Sequence, residues 1–190
     1  MEYLYHGSAI AGIRSLEARS TLHGTDRRVV YLTDSIPYAL FYIWDEKHTG
    51  CSGKHVTGWV KNGMAHYEEQ FPHQLEEFYR GVSGYLYRTP RNADTHGVKE
   101  RESLFYREGD APVDAEYVPD VYEALLRHET AGELKVLRYT EQTRQRQNEL
   151  IDLIAEAIVR ADFFRTDPPQ RAFMERYFSA AWEKAQTNTK

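Results

Sequence analysis

The chain has 190 residues, 41% of them hydrophobic, which is enough to bury one sizeable core and too little for two domains of ordinary size. Its 24 basic and 29 acidic residues leave a formal net charge of -5, which argues against general attraction to nucleic acid while allowing a local basic patch. The single cysteine, Cys51, excludes an internal disulfide framework and a cysteine-rich zinc site.

The opening residues Met-Glu-Tyr-Leu-Tyr-His-Gly lack the basic and apolar regions of a signal peptide, and no later stretch approaches the roughly eighteen apolar residues that span a bilayer. A soluble, cytoplasmic protein without a membrane partner is expected. Tyrosine is abundant, with 14 copies, and its ordinary use is cross-strand pairing in sheets.

Tyr3 to His6 alternates and ends at Gly7-Ser8, which predicts a strand running into a turn, with a short helix from Ile10 to Leu16. Val29 to Leu32 reads as a second strand. Thr33, Asp34 and Ser35 offer N-cap side chains, and Ile36, Leu40 and Ile43 recur at helical spacing, predicting one amphipathic helix to about Lys47. Strand pieces are expected at 55–60 and 65–67 around the turn-forming pair Asn62-Gly63, followed by a helix from Pro72 to Tyr79.

Ser83 to Tyr87 reads as a strand ended by Thr89-Pro90-Arg91-Asn92, and a polar loop of about ten residues follows. Ser103 to Tyr106 and Val113 to Val118 are further strands. A helix opens at Pro119-Asp120 and is closed by Gly132. The remainder is helical: Leu150, Ile151, Ile154 and Ile158 form one apolar stripe, and Phe173, Met174, Tyr177, Phe178, Ala181 and Trp182 another between Pro168 and Ala185. The second stripe is a core face or a partner surface. The polar end Thr187–Lys190 is expected to fray.

No His-Glu-x-x-His, Rossmann, P-loop or Gly-x-Ser-x-Gly pattern is present, so a catalytic metal, a phosphate cradle of those kinds and a serine elbow are not expected. What stands out is an ordered series: Leu4-Tyr5-His6-Gly7-Ser8, then Val30-Tyr31-Leu32-Thr33-Asp34 with Tyr42, then Ser83-Gly84-Tyr85-Leu86-Tyr87 and Arg101-Glu102-Ser103-Leu104-Phe105-Tyr106.

In that order these segments resemble the H-Y-E group of ADP-ribosyltransferases, which includes diphtheria-type toxins and poly-ADP-ribose polymerases. The resemblance covers roughly residues 3 to 125. It implies an α+β fold, a split, mostly antiparallel β-sandwich, for an ADP-ribosyltransferase-like domain at 1–140, and it leaves the tail unexplained; the apolar stripes there predict a helical extension at 141–190 packed on the same domain. It also implies NAD as substrate, no metal, and transfer of ADP-ribose to a protein, nucleic acid or small molecule. A toxin or phage-defence setting fits such a protein. NAD glycohydrolysis at the same site and a catalytically inactive binding module are the alternatives.

Residue by residue, the resemblance puts His6 on the nicotinamide ribose and the Gly7 backbone on the carboxamide, with Ser8 beside them. Glycine suits close approach of backbone to ligand. Tyr31, followed by Asp34 on the way into a helix, and Tyr42 would sandwich the nicotinamide ring. Glu102 would bind the ribose 2′-hydroxyl and stabilise the positive charge that develops as the N-glycosidic bond breaks. Catalysis would thus rest on Glu102, His6 and Tyr31. A shift of strand register would bring Glu100, Glu108 or Glu116 to that position instead. Arg27-Arg28 and Arg144–Arg146 are solvated faces or grips for phosphate or nucleic acid.

Overall fold

A computed structural model describes residues 2–22 and 24–188, and the side chain of Asn188 is not described. The fold is α+β with mostly antiparallel sheets. Its strands are β1 Tyr3–Ser8, β2 Ser15–Leu16, β3 Ser20–Thr21, β4 Arg28–Thr33, β5 Gly58–Lys61, β6 Met64–Glu68, β7 Gly84–Pro90, β8 Thr95–Gly97, β9 Leu104–Glu108, β10 Ala111–Pro112, β11 Asp114–Val118 and β12 Leu134–Leu137. Its helices are α1 Ile36–Leu40, α2 Glu46–Thr49, α3 Gln74–Tyr79, α4 Val121–Thr130, α5 Arg144–Arg160, α6 Pro168–Tyr177 and α7 Ser179–Asn188.

The main sheet runs β11-β7-β1-β4-β9-β8, with β3 added beside β4. Central β4 is nearly all apolar because it is covered on both sides: Val29, Val30, Leu32 and Thr33 are all buried. The ladder between β1 and β7 is complete from Tyr3↔Pro90 to Ser8↔Tyr85, whereas β1 meets β4 at Tyr5↔Thr33 alone. Beyond that pair, towards His6 and Gly7, the two strands diverge and the sheet opens.

A smaller sheet, β12-β6-β5, has the one parallel pairing among the described residues, between β12 and β6. Asn62 and Gly63 turn β5 into β6 with φ of 52° and 74°, as a two-residue hairpin of the I′ kind requires.

Several predicted elements are corrected by tertiary packing. No helix forms at Ile10–Leu16. There the Tyr87 hydroxyl donates to the Ile10 carbonyl at 2.7 Å and accepts from the Ile13 N–H at 3.2 Å, and Ser15–Leu16 pairs with Ala111–Pro112. The helix expected to reach Lys47 is two short helices. Ala39, Leu40, Phe41, Ile43 and Trp44 are all at most 4% exposed, a pattern of burial that differs from the single buried face of the amphipathic helix expected there. Asp45 starts the second by accepting from the Lys47 and His48 N–H groups.

Strand β7 runs on through Thr89-Pro90, β8 lies inside the stretch expected to be a polar loop, and no element was expected at β12. The last predicted helix is broken at Phe178, which is 3% exposed, into α6 and α7. Of the end expected to fray, Thr187 and Asn188 finish α7, while Thr189 and Lys190 lie outside the described residues. The helix starts expected at Ser35 and Asp120 hold, with Ser35 accepting from Tyr38 and Asp120 from Glu123, and Thr143 caps α5 in the same way by accepting from Arg146.

One aromatic core joins the two ends of the chain. Trp44 meets Phe78 at 5.1 Å and Phe173 at 6.2 Å, and Phe71 meets Tyr177 at 5.5 Å. The apolar stripe of α6 and α7 is therefore a core face. No helix among the described residues is long and apolar enough to cross a membrane.

Candidate functional site

Where β1 and β4 diverge, a cavity of about 500 Å3 opens. Tyr5, His6 and Gly7 of β1 and Tyr31, Leu32 and Thr33 of β4 form one side, Tyr38, Ala39 and Tyr42 a second, and Val98, Lys99, Arg101 and Leu104 a third. Four of the residues singled out in the sequence, His6, Gly7, Tyr31 and Tyr42, thus come together.

His6 sits in the opening itself. Its Nδ1 lies 3.2 Å from the Tyr31 carbonyl, which can only accept, so Nδ1 carries the proton and Nε2 keeps a lone pair. Burial lowers the imidazole pKa, the Tyr31 bond partly opposes this, and the charge of Lys54 lowers it further. The ring is therefore neutral at physiological pH.

The aromatic wall is built by two tyrosines four residues apart. Tyr38 and Tyr42 have hydroxyls 3.1 Å apart and rings edge to face at 5.5 Å. Burial and the neighbouring Tyr38 hydroxyl push the Tyr42 phenol up, so it stays protonated. Lys54 donates from Nζ to the Tyr42 carbonyl at 3.1 Å and lies 5.8 Å from the centre of that ring. Burial lowers its ammonium pKa. Sequence reasoning missed Tyr38, although the i, i+4 spacing to Tyr42 was available as a signal.

Gly7 is required for a reason other than a ligand. A β-carbon there would collide with the Ala39 carbonyl, so α1 approaches β1 too closely for any side chain. Ser8 is buried, accepts from the Ile10 N–H at 3.2 Å, and does not line the cavity. Asp34 lines a second cavity of about 540 Å3, which shares Tyr5 with the first and is walled by Glu2, Arg91, Ser103 and Glu133 among others.

Glu102 is flanked by two lining residues, Arg101 and Leu104 being close by in sequence, yet it does not line the cavity. Its carboxylate accepts from the backbone N–H groups of Asn62 at 2.9 Å and Gly63 at 2.6 Å, tying the 98–103 segment to the β5–β6 turn. Glu100 is exposed beside Lys99, Glu108 is paired with Arg27, and Glu116 is exposed on edge strand β11. Among the described residues no carboxylate lines the cavity, whose charged groups are Lys99 and Arg101. No group of three or more metal-ligating side chains occurs among them either.

Of the two arginine clusters, Arg146 is held by Glu68 and Glu149, and Arg27 lies over the Tyr106 ring at 5.7 Å beside Glu108. The cavity combines a neutral imidazole with a free acceptor nitrogen, an edge-to-face pair of phenols and cations. It is suited to a flat ring joined to a hydroxylated, anionic group. Compared with family models, curated proteins and solved structures, the chain matches none of them.

Proposed function

We propose that this cavity receives the nicotinamide-ribose end of NAD, and that the protein is an ADP-ribosyltransferase-like enzyme of the split-sandwich type. One observation carries the reading: His6, Tyr31 and Tyr42, scattered over the first 42 residues, line the same cavity together with Tyr38. The phenols offer faces and edges to the nicotinamide ring, and Nε2 of neutral His6 can accept from a ribose hydroxyl. Lys99 and Arg101 offer countercharge to the pyrophosphate.

Cleavage of the N-glycosidic bond develops positive charge on the ribose, and a carboxylate beside it lowers that barrier. Glu102 is the acid proposed for this role, which it could take only after leaving the Asn62–Gly63 turn. Glu100 and Ser103, at φ of 60° and 58°, put strained backbone on either side of it, of the kind that a rearranging segment stores. The same two hydrogen bonds to the turn favour a second reading, an NAD-binding module without catalysis.

Labelled NAD, with protein, nucleic acid and small-molecule acceptors, separates these. Transfer or nicotinamide release by wild type, lost in Glu102→Gln while NAD still raises the melting temperature, supports the enzyme. A thermal shift with no NAD consumed supports the module, and no shift even at millimolar NAD sinks both.

A further inference from the structure

Three residues on the third side of the cavity, Val98, Lys99 and Arg101, lie on a short segment between β8 and β9, residues 98–103. The segment is closed on itself: the Val98 N–H donates to the Leu104 carbonyl at 2.8 Å, Arg101 to Val98 at 3.2 Å and Leu104 to Arg101 at 3.4 Å. Its two turns contain Glu100 and Ser103, both with left-handed backbone, and Lys99 to Glu102 are all exposed. Beyond Leu104, one side chain fastens it. Among the described residues, the only hydrogen bonds or ion pairs that tie residues 98–103 to another part of the chain are those the Glu102 carboxylate accepts from Asn62 and Gly63.

That attachment has a defined geometry. Asn62 and Gly63 are the central residues of the β5–β6 hairpin, and their left-handed backbone turns two successive N–H groups towards the two oxygens of one carboxylate. Charge-assisted bonds of this kind are stronger than neutral ones, but at an exposed position water competes for both partners. The contact can therefore hold the segment and also release it. We propose that residues 98–103 form a lid over the cavity and that Glu102 is its latch, fastening it to the β5–β6 turn. A lid excludes water from a site when closed and admits the ligand when open. The proposal deepens the reading of the cavity as an NAD site and rests on it only for the identity of the enclosed ligand. On that reading the latch has a second consequence. The carboxylate that fastens the lid is the one assigned to the ribose, and it cannot occupy both places, so the latched form is a resting state.

The accessibility of His6 tests the lid without any ligand. Diethyl pyrocarbonate modifies a neutral imidazole at its free lone pair, so the rate at His6 Nε2, followed by peptide mass spectrometry, reports how often the cavity is open. Glu102→Ala is expected to raise that rate about tenfold, for the loss of two charge-assisted bonds at an exposed site. Glu102→Gln, which keeps one accepting oxygen, should fall between the two. Exposed His73 is the reference and should react alike in all three proteins. In Glu102→Ala, 15N relaxation should show the order parameters of Glu100 and Arg101 falling from about 0.85 towards about 0.6.

A wild-type rate at His6 in Glu102→Ala overturns the latch, and so do unchanged order parameters in the segment. An equal rise at His73 also overturns it, because the change would then be a general loosening. Millimolar NAD should protect His6 in wild type. If it does not, while the Glu102 variants respond as expected, the NAD reading fails and the lid with its latch stands.

Discussion

A methyl group on Gly7 would meet the backbone carbonyl of Ala39, and Ile43 closes the same space from the side. Backbone gives way less readily than a side-chain tip, so Gly7→Ala should cost about 1–3 kcal/mol of stability, in the range of core overpacking. Urea unfolding should register this as a lower midpoint with an unchanged slope. The change reaches function through geometry, since the Ala39 carbonyl belongs to the helix end that carries Tyr38 and Tyr42 onto the cavity. A Gly7→Ala protein as stable as wild type would show that α1 can withdraw, and the cavity wall would then be softer than its packing implies.

Among the elements, α6 and its junction with α7 pack against a half-buried histidine. His55 stands 4.7 Å from Phe178 and 6.1 Å from Phe173, with Nε2 3.0 Å from the Gln70 side-chain oxygen. Burial lowers its pKa below the ordinary value near 6.5, and the Gln70 bond opposes this only in part. A lowered folded pKa means that, as pH falls below about 6.5, the unfolded chain takes up this proton first and stability declines until the folded pKa is also passed. His6 contributes with the same sign. Denaturation between pH 7.5 and about 5 should therefore show falling stability, with a shallower fall in His55→Gln. An unchanged slope in that variant would remove His55 from the account.

For the whole molecule, the aromatic core is continuous from Trp44 and Phe78 to Phe173, Tyr177 and Phe178. A chain ending at residue 140 would expose those partners of the tail in one patch, and Ile158 and Trp182 would be lost from the core. Such a truncation is expected to lose cooperative melting and near-ultraviolet dichroism and to bind a hydrophobic dye, as loosely packed states do. A cooperative transition in residues 1–140 alone would establish the tail as a dispensable addition.

What the sequence by itself determined was local. The apolar run Val29–Leu32, the turn pair Asn62-Gly63, the caps Ser35 and Asp120, and the stripes of the tail helices all depend on residues within a few positions of each other, where side-chain period and capping chemistry act directly. His6, Gly7, Tyr31 and Tyr42 could be marked as a group because their order along the chain carried a resemblance, and the cavity contains all four. Partners distant in the chain were beyond that reach. The bond from His6 to Tyr31 spans 25 positions and the bonds from Glu102 to the hairpin turn span 40 and 39. The helix expected at Ile10–Leu16 is prevented by Tyr87, 77 positions past Ile10, and β12 is a strand because β6 pairs with it. Hydrogen-bond satisfaction and complete burial are properties of the assembled core, and they decided where the chain departs from its local preferences. The position of Glu102 is the clearest case: its chemistry is written in the sequence, but the backbone donors that hold its carboxylate outside the cavity were supplied by a turn in another sheet.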